Sequence, residues 1–169
     1  MAFSRRDRLS PVLALAAICL LAGCATHYAP LSLEPPLPPD RIHTEQRETV
    51  TVSAAILTDQ EAGLIYGVDL AEAGLQAIWL RIDNRSGHSH WLLVSALDMH
   101  YYEPDEAATL FHWRLDEEDE VRAISRFREL AMPLKTTAGA VNEGYVLAPR
   151  HEGGRYLPIL LMGEGHALS

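Results

Sequence analysis

The residues best able to do chemistry in this chain sit in a short histidine-rich stretch. His88-Ser89-His90 is followed by Asp98 and His100. On a strand, residues two apart share a face, so His88 and His90 would point together, and an antiparallel neighbour would bring Asp98 or His100 alongside. Three nitrogen or oxygen donors in that arrangement suit zinc or copper. The grouping therefore carries one reading of the chain, a metal-binding protein or metal-dependent hydrolase built on His88, His90 and His100. The competing reading is that both histidines decorate a polar turn after Asn84-Arg85-Ser86-Gly87. It is preferred because no His-Glu-Xaa-Xaa-His pattern accompanies the cluster. Asp116-Glu117-Glu118-Asp119-Glu120 lacks the glycine and alternating spacing of a calcium loop and reads as a capped, solvated helix start. Asp98, Glu103, Asp105 and Glu106 offer carboxylate pairs of the kind glycosidases use, but any acidic chain does so. There is no Gly-Xaa-Ser-Xaa-Gly elbow and no phosphate-cradling glycine loop. The expectation is a non-enzymatic protein with no cofactor and no catalytic residue.

A second chemical residue is Cys24. Arg5, Arg6 and Arg8 against Asp7 are followed by an apolar run through Val12, Leu13, Leu15, Ile18, Leu20 and Leu21, the charge-then-apolar order of an export signal. That run is about ten residues, short of the ~20 that span a bilayer as a helix. It ends in Leu21-Ala22-Gly23-Cys24, which resembles the lipobox of bacterial lipoproteins. The resemblance implies a diacylglyceryl group on the Cys24 thiol, cleavage between Gly23 and Cys24, and an acylated amino terminus. Each buried methylene contributes about 0.8 kcal/mol of membrane affinity, so two or three chains anchor stably. Ala25 in place of Asp favours the outer membrane in the proteins it resembles. Ser4-Arg5-Arg6 hints at a twin-arginine signal, although Arg8 stands where that pattern wants an apolar residue.

Composition narrows the partners. Of 169 residues, removal of 1–23 leaves 146, enough for one domain with a core. The whole chain has 14 Lys and Arg against 23 Asp and Glu, and the leader holds three of those bases and one acid, so the mature charge is −11. A polyanion repels nucleic acid and anionic headgroups, so neither is an expected partner. Of the two cysteines, Cys19 leaves with the leader and Cys24 carries lipid. The mature chain then has no free thiol, disulfide or thiolate-held metal.

These side chains need elements to position them. Residues 24–47, with Pro30, Pro35, Pro36, Pro38 and Pro39, read as a lipidated N-terminus and a semi-rigid tether able to lift a domain off the lipid surface. Residues 48–169 read as the domain. Val50, Val52, Ala54 and Ile56 share one parity and predict a strand over 48–58. Within 61–74, Gly63, Gly67 and Gly74 around Asp69-Leu70-Ala71-Glu72-Ala73 suggest a turn or a single helical turn in that short segment. Leu75 to Asn84 is the strongest strand signal, with Ile78, Leu80 and Ile82 alternating with Trp79, Arg81 and Asp83. The run from Trp91 to Tyr102 is expected to return antiparallel to it. A helical segment spans 104–131. It starts at Pro104 and continues in a helix over 116–131 with Val121, Ile124, Phe127, Leu130 and Ala131 as its apolar stripe. Strands then return at 144–147 and 156–161, joined by a Gly153-Gly154 turn, with Pro158 arguing for an edge or bulge.

The stretch Gly67-Val68-Asp69-Leu70 with Gly74-Leu75-Gln76-Ala77-Ile78-Trp79-Leu80-Arg81-Ile82-Asp83-Asn84-Arg85-Ser86, and later Gly144-Tyr145-Val146, resembles a group of uncharacterised bacterial envelope lipoproteins. The resemblance implies an immunoglobulin-like antiparallel β-sandwich, here mainly β with a helical insertion (α+β). Such domains bind or present rather than catalyse, an inference from fold alone. The expected protein is a lipid-anchored envelope protein facing the periplasm, joined to the membrane through Cys24 and to another envelope protein. Trp79 and Arg81, on the outward parity of the long strand, are the expected contact residues; an outward Trp79 or Trp91 would mark such a patch.

Overall fold

The computed structural model describes residues 28–31, 37–151, 157–163 and 166–168. Gly23, Cys24 and the Gly153-Gly154 turn lie outside the described residues. The described chain is mixed α+β, with two four-stranded antiparallel sheets and four α-helices.

The first sheet runs in the order β1 (His43–Arg47), β2 (Val50–Ile56), β3 (Leu75–Asn84), β6 (Val141–Pro149). Strand β3 is central, pairing antiparallel with β2 and with β6. Its bounds are those the alternation predicts, but it is buried on both faces rather than one. Ile78, Leu80 and Ile82 face one core with Val50, Ala54, Val146 and Ala148, and Leu92 and Leu161 of the second sheet close that core. Leu75, Ala77 and Trp79 face another core with Ala55 and Leu147, covered by helices. The molecule is thus layered as helices, first sheet, second sheet. Both faces of β3 are covered, and its middle, Ala77-Ile78-Trp79-Leu80, is a continuous apolar run.

Strand β1 corrects the expected domain boundary. It lies inside the segment read as a tether, and every residue of it is exposed. An edge strand with neither face covered has no apolar parity, so alternation gives no sign of it. Ahead of it, a 3-10 turn at Pro39–Arg41 is clamped by Arg41, whose guanidinium donates to both Glu61 carboxylate oxygens, at 2.7 and 2.9 Å, and to the Ile56 carbonyl at 2.7 Å.

The second sheet runs in the order β5 (Lys135–Thr136), β4 (His90–Leu92), β7 (Leu161–Gly163), β8 (His166–Leu168). The long strand expected over Trp91–Tyr102 is absent: β4 stops at Leu92 and a helical turn, α2 (Val94–Leu97), follows. Nor does this segment return along β3. Asn84 redirects it. Its fully buried amide Nδ2 donates to the carbonyls of His88 (2.8 Å), Thr137 (3.0 Å) and Thr136 (3.2 Å), and its Oδ1 accepts from the Ser86 amide (3.1 Å) and hydroxyl (2.6 Å). The side chain therefore holds the end of β3, the following turn and β5 together, and sends the chain into the other sheet.

The helical turn expected at Asp69–Ala73 is present as a 3-10 turn at Leu70–Ala73. Ahead of it, helix α1 (Asp59–Tyr66) spans two turns despite Gly63, and no helix is expected there from the sequence. Thr58 and Glu61 make a reciprocal capping box, with the Glu61 amide donating to Thr58 Oγ1 and the Thr58 amide to Glu61 Oε2. Helix α3 (Pro104–Thr109) starts at its proline as expected. Helix α4 (Glu117–Leu130) is capped by Asp116, whose carboxylate accepts from the Asp119 amide at 2.8 Å. Four acids fill its first turn and Arg128 its last, which complements the helix dipole. Its buried side is Asp119, Ala123 and Phe127, with Phe127 edge-on to Tyr66 at 4.6 Å; Val121, expected in the stripe, is 65 % exposed. No described helix is long and apolar enough to cross a membrane.

Leaving α4, the chain crosses β6 where Gly144 stands. The Met132 amide donates to the Tyr145 carbonyl at 2.9 Å. A Cβ on residue 144 would lie 2.6 Å from Met132 Cα, so only glycine permits this backbone approach.

Candidate functional site

Strand parity in the second sheet separates an inner from an outer face. His90, Leu92, Thr136 and Leu161 turn inward and are 3 %, 5 %, 1 % and 3 % exposed. Trp91 pairs in register with Lys135 on one side and Met162 on the other, so these three side chains stand abreast on the outer face. Trp91 is 39 % and Met162 49 % exposed, and Leu93, two residues on from Trp91, is 37 % exposed. The Lys135 ammonium sits 4.9 Å from the centre of the Trp91 ring, within cation–π range. Lys135 is the only lysine in the chain. The result is an aromatic and aliphatic patch with one cation on an otherwise acidic protein. Contiguous apolar surface around a tryptophan is the usual mark of a protein-binding site.

Trp79 and Arg81 do share a parity, as the alternation requires, but only Arg81 reaches solvent. Trp79 is 9 % exposed beneath the helical layer. Its indole donates to Glu143 Oε1 at 2.9 Å, and Arg81, opposite Glu143 in register, donates to the other oxygen at 2.8 Å. Glu143 thus ties both expected contact residues to β6. The placement corrects the expectation of an outward Trp79: helices cover the face that sequence parity left open.

The metal cluster of the alternative reading does not assemble. Strand geometry begins only at His90, so His88 belongs to the turn wrapped on Asn84 and is exposed, whereas His90 is buried on the inner face with its Nδ1 unpartnered. His100 lies on an exposed turn near Asp98, with Nδ1 3.9 Å from one carboxylate oxygen, while His151 Nε2 is 3.8 Å from the other. Among the described residues no group of three or more His, Cys, Asp or Glu side chains is placed to hold a metal ion.

One further concavity lies at the other side of the molecule, a cleft of about 460 Å³ lined by Tyr28, Asp59, Gly67, Asp69 and Arg114 among others. Tyr28 forms part of its wall and is 5 % exposed, and burial pushes its hydroxyl up to about 12. Arg114 in this wall is paired with Glu72.

An outward Trp91 was one of two placements the sequence left open; its companions were not foreseen. Lys135 and Met162 come from a two-residue strand and a three-residue strand, too short for any periodicity to register. Comparison with protein-family models, with curated proteins and with solved structures finds no match.

Proposed function

We propose that this chain is a bacterial envelope lipoprotein, anchored by lipid on Cys24 at the outer membrane and facing the periplasm, whose domain is a non-enzymatic docking module for another envelope protein. The immunoglobulin-like class of its sandwich belongs to this reading; two packed antiparallel sheets support it, while the sequential β1-β2-β3 run is simpler than a Greek key. One observation carries the docking role: the outer face of the second sheet, where Trp91, Leu93 and Met162 leave apolar surface uncovered around Lys135. Desolvating a tryptophan at the centre of a contact is worth a large share of binding energy, and the lone cation suits a partner with an acidic group at its rim.

The test is photo-crosslinking in intact cells from a probe at residue 162. One abundant adduct to an envelope protein, abolished by Trp91→Asp in a chain that stays folded, supports the proposal. Absence of any discrete adduct, or an adduct indifferent to Trp91→Asp, refutes it.

A further inference from the structure

Residues 28–31 are packed into the domain. The Tyr28 ring is buried in the helix-side core, its amide donates to Asp119 Oδ2 at 3.3 Å, and its Cε2 would lie 2.7 Å from a Cβ on Gly67. Gly67 has φ +75° and closes α1, so glycine there serves both the left-handed backbone and the passage of this segment. The Leu31 amide donates to the Leu64 carbonyl at 2.9 Å, and Arg126 spans the Ile65 and Leu31 carbonyls at 3.1 and 3.3 Å. Asp119 is held in turn by Arg122. The first described residues are therefore fastened between α1 and α4, where the prolines suggested an extended, semi-rigid tether.

This has a consequence for the lipid anchor. Only three residues separate Cys24 from Tyr28, so the lipid-bearing residue lies within about 14 Å of Tyr28 even if that stretch is fully extended. We infer that the helical face around the Tyr28 seat is held against the bilayer surface, which fixes the orientation of the domain and turns the outer face of the second sheet away from its own membrane. The inference rests on lipidation of Cys24. The seat is bordered by exposed apolar side chains suited to an interface: Leu31 at 42 %, Leu64 at 45 %, and Trp113 at 61 %, the last under the guanidinium of Arg114, which lines the same cleft as Tyr28. Tryptophan favours the headgroup level. The acids nearby, Asp59, Asp69 and those opening α4, disfavour anionic lipid, so the fitting surface is zwitterionic. The Trp91 face lies two layers beyond, at about 10 Å per layer.

The experiment uses the acylated mature chain in phosphatidylcholine vesicles, with nitroxide quenchers on the headgroups and a fluorophore on Leu64→Cys or on Met162→Cys, each the sole free thiol. Severalfold stronger quenching at 64 than at 162 is expected. Inserting twelve Gly and Ser residues after Ala25 leaves the seat intact but lengthens the leash, and should bring the ratio close to one. Equal quenching in the unextended chain, with the protein still floating with the vesicles, overturns the orientation while leaving the anchor standing. A chain that carries no lipid on Cys24 and does not float overturns the anchor, and the orientation with it.

Discussion

Replacing Asn84 by alanine removes the side chain that joins the two sheets, and its cost follows from the bonds it makes. The amide has two protons for three carbonyls, those of His88, Thr137 and Thr136, and its oxygen takes the Ser86 amide and hydroxyl. Two donor bonds and one firm acceptor bond contribute about 1 kcal/mol each, and carbonyls at Thr136, itself 1 % exposed, lose a donor with no water to replace it. The expected loss is about 3 kcal/mol. For a chain of this size that is a fall of about 10 °C in midpoint temperature. Urea unfolding of the mature chain with Cys24→Ser, followed by tryptophan fluorescence, measures it. Ser86→Ala, which spares all three donor bonds, should lose only about 1 kcal/mol. A loss below about 1 kcal/mol for Asn84→Ala would refute the reasoning, because the backbone alone would then suffice to direct β3 into β4.

Three other outcomes follow from the same geometry. Bidentate hydrogen bonding from Arg41, helped by Thr58, holds the Glu61 carboxyl down to about 2. Because the folded value lies below the usual 4.5, the contribution is complete above about pH 5 and is lost as pH falls toward 2. It is on the order of 2–3 kcal/mol, so Glu61→Gln should flatten the acid limb of a stability–pH curve and leave its shape above neutrality unchanged. Gly144→Ala should cost about 1–3 kcal/mol, since the added methyl meets the Met132 backbone rather than a side chain that can turn away; an unchanged thermal midpoint would contradict that contact. Phe127→Ala, which empties the space between Tyr66 and Phe111, should cost about 3–5 kcal/mol, while Val121→Ala on the solvent side of the same helix should stay within about 0.5 kcal/mol.

Legibility in the sequence tracked the strength of local signals. β3 and β2 were readable because each carries a long apolar parity, and α3 and α4 because proline, acids and bases mark their ends. β1 escaped because neither face is covered, and α1 because its glycines at 63 and 67 hide a Thr58–Glu61 capping box that spacing alone reveals. The route out of β3 was misjudged for a different reason: Asn84 looks like an ordinary turn residue, and its decisive bonds reach Thr136 and Thr137, more than fifty residues away. The exposed outer face of the second sheet was half legible. A tryptophan in the apolar run Trp91-Leu92-Leu93-Val94 was visible, but its exposure alternates with that of its neighbours, which no all-apolar run discloses. Trp79 was misassigned because parity identifies which residues share a face and not what covers it.

The docking proposal and the orientation of the domain both depend on one covalent attachment, and the mass of the protein extracted from membranes tests it directly. The expected species is a chain starting at Cys24, heavier than residues 24–169 by a diacylglyceryl group and one further acyl chain, and converted by Cys24→Ser to an unacylated form that leaves the membrane fraction. An N-terminus other than residue 24, or an unmodified Cys24 in protein that still sediments with membranes, would contradict it.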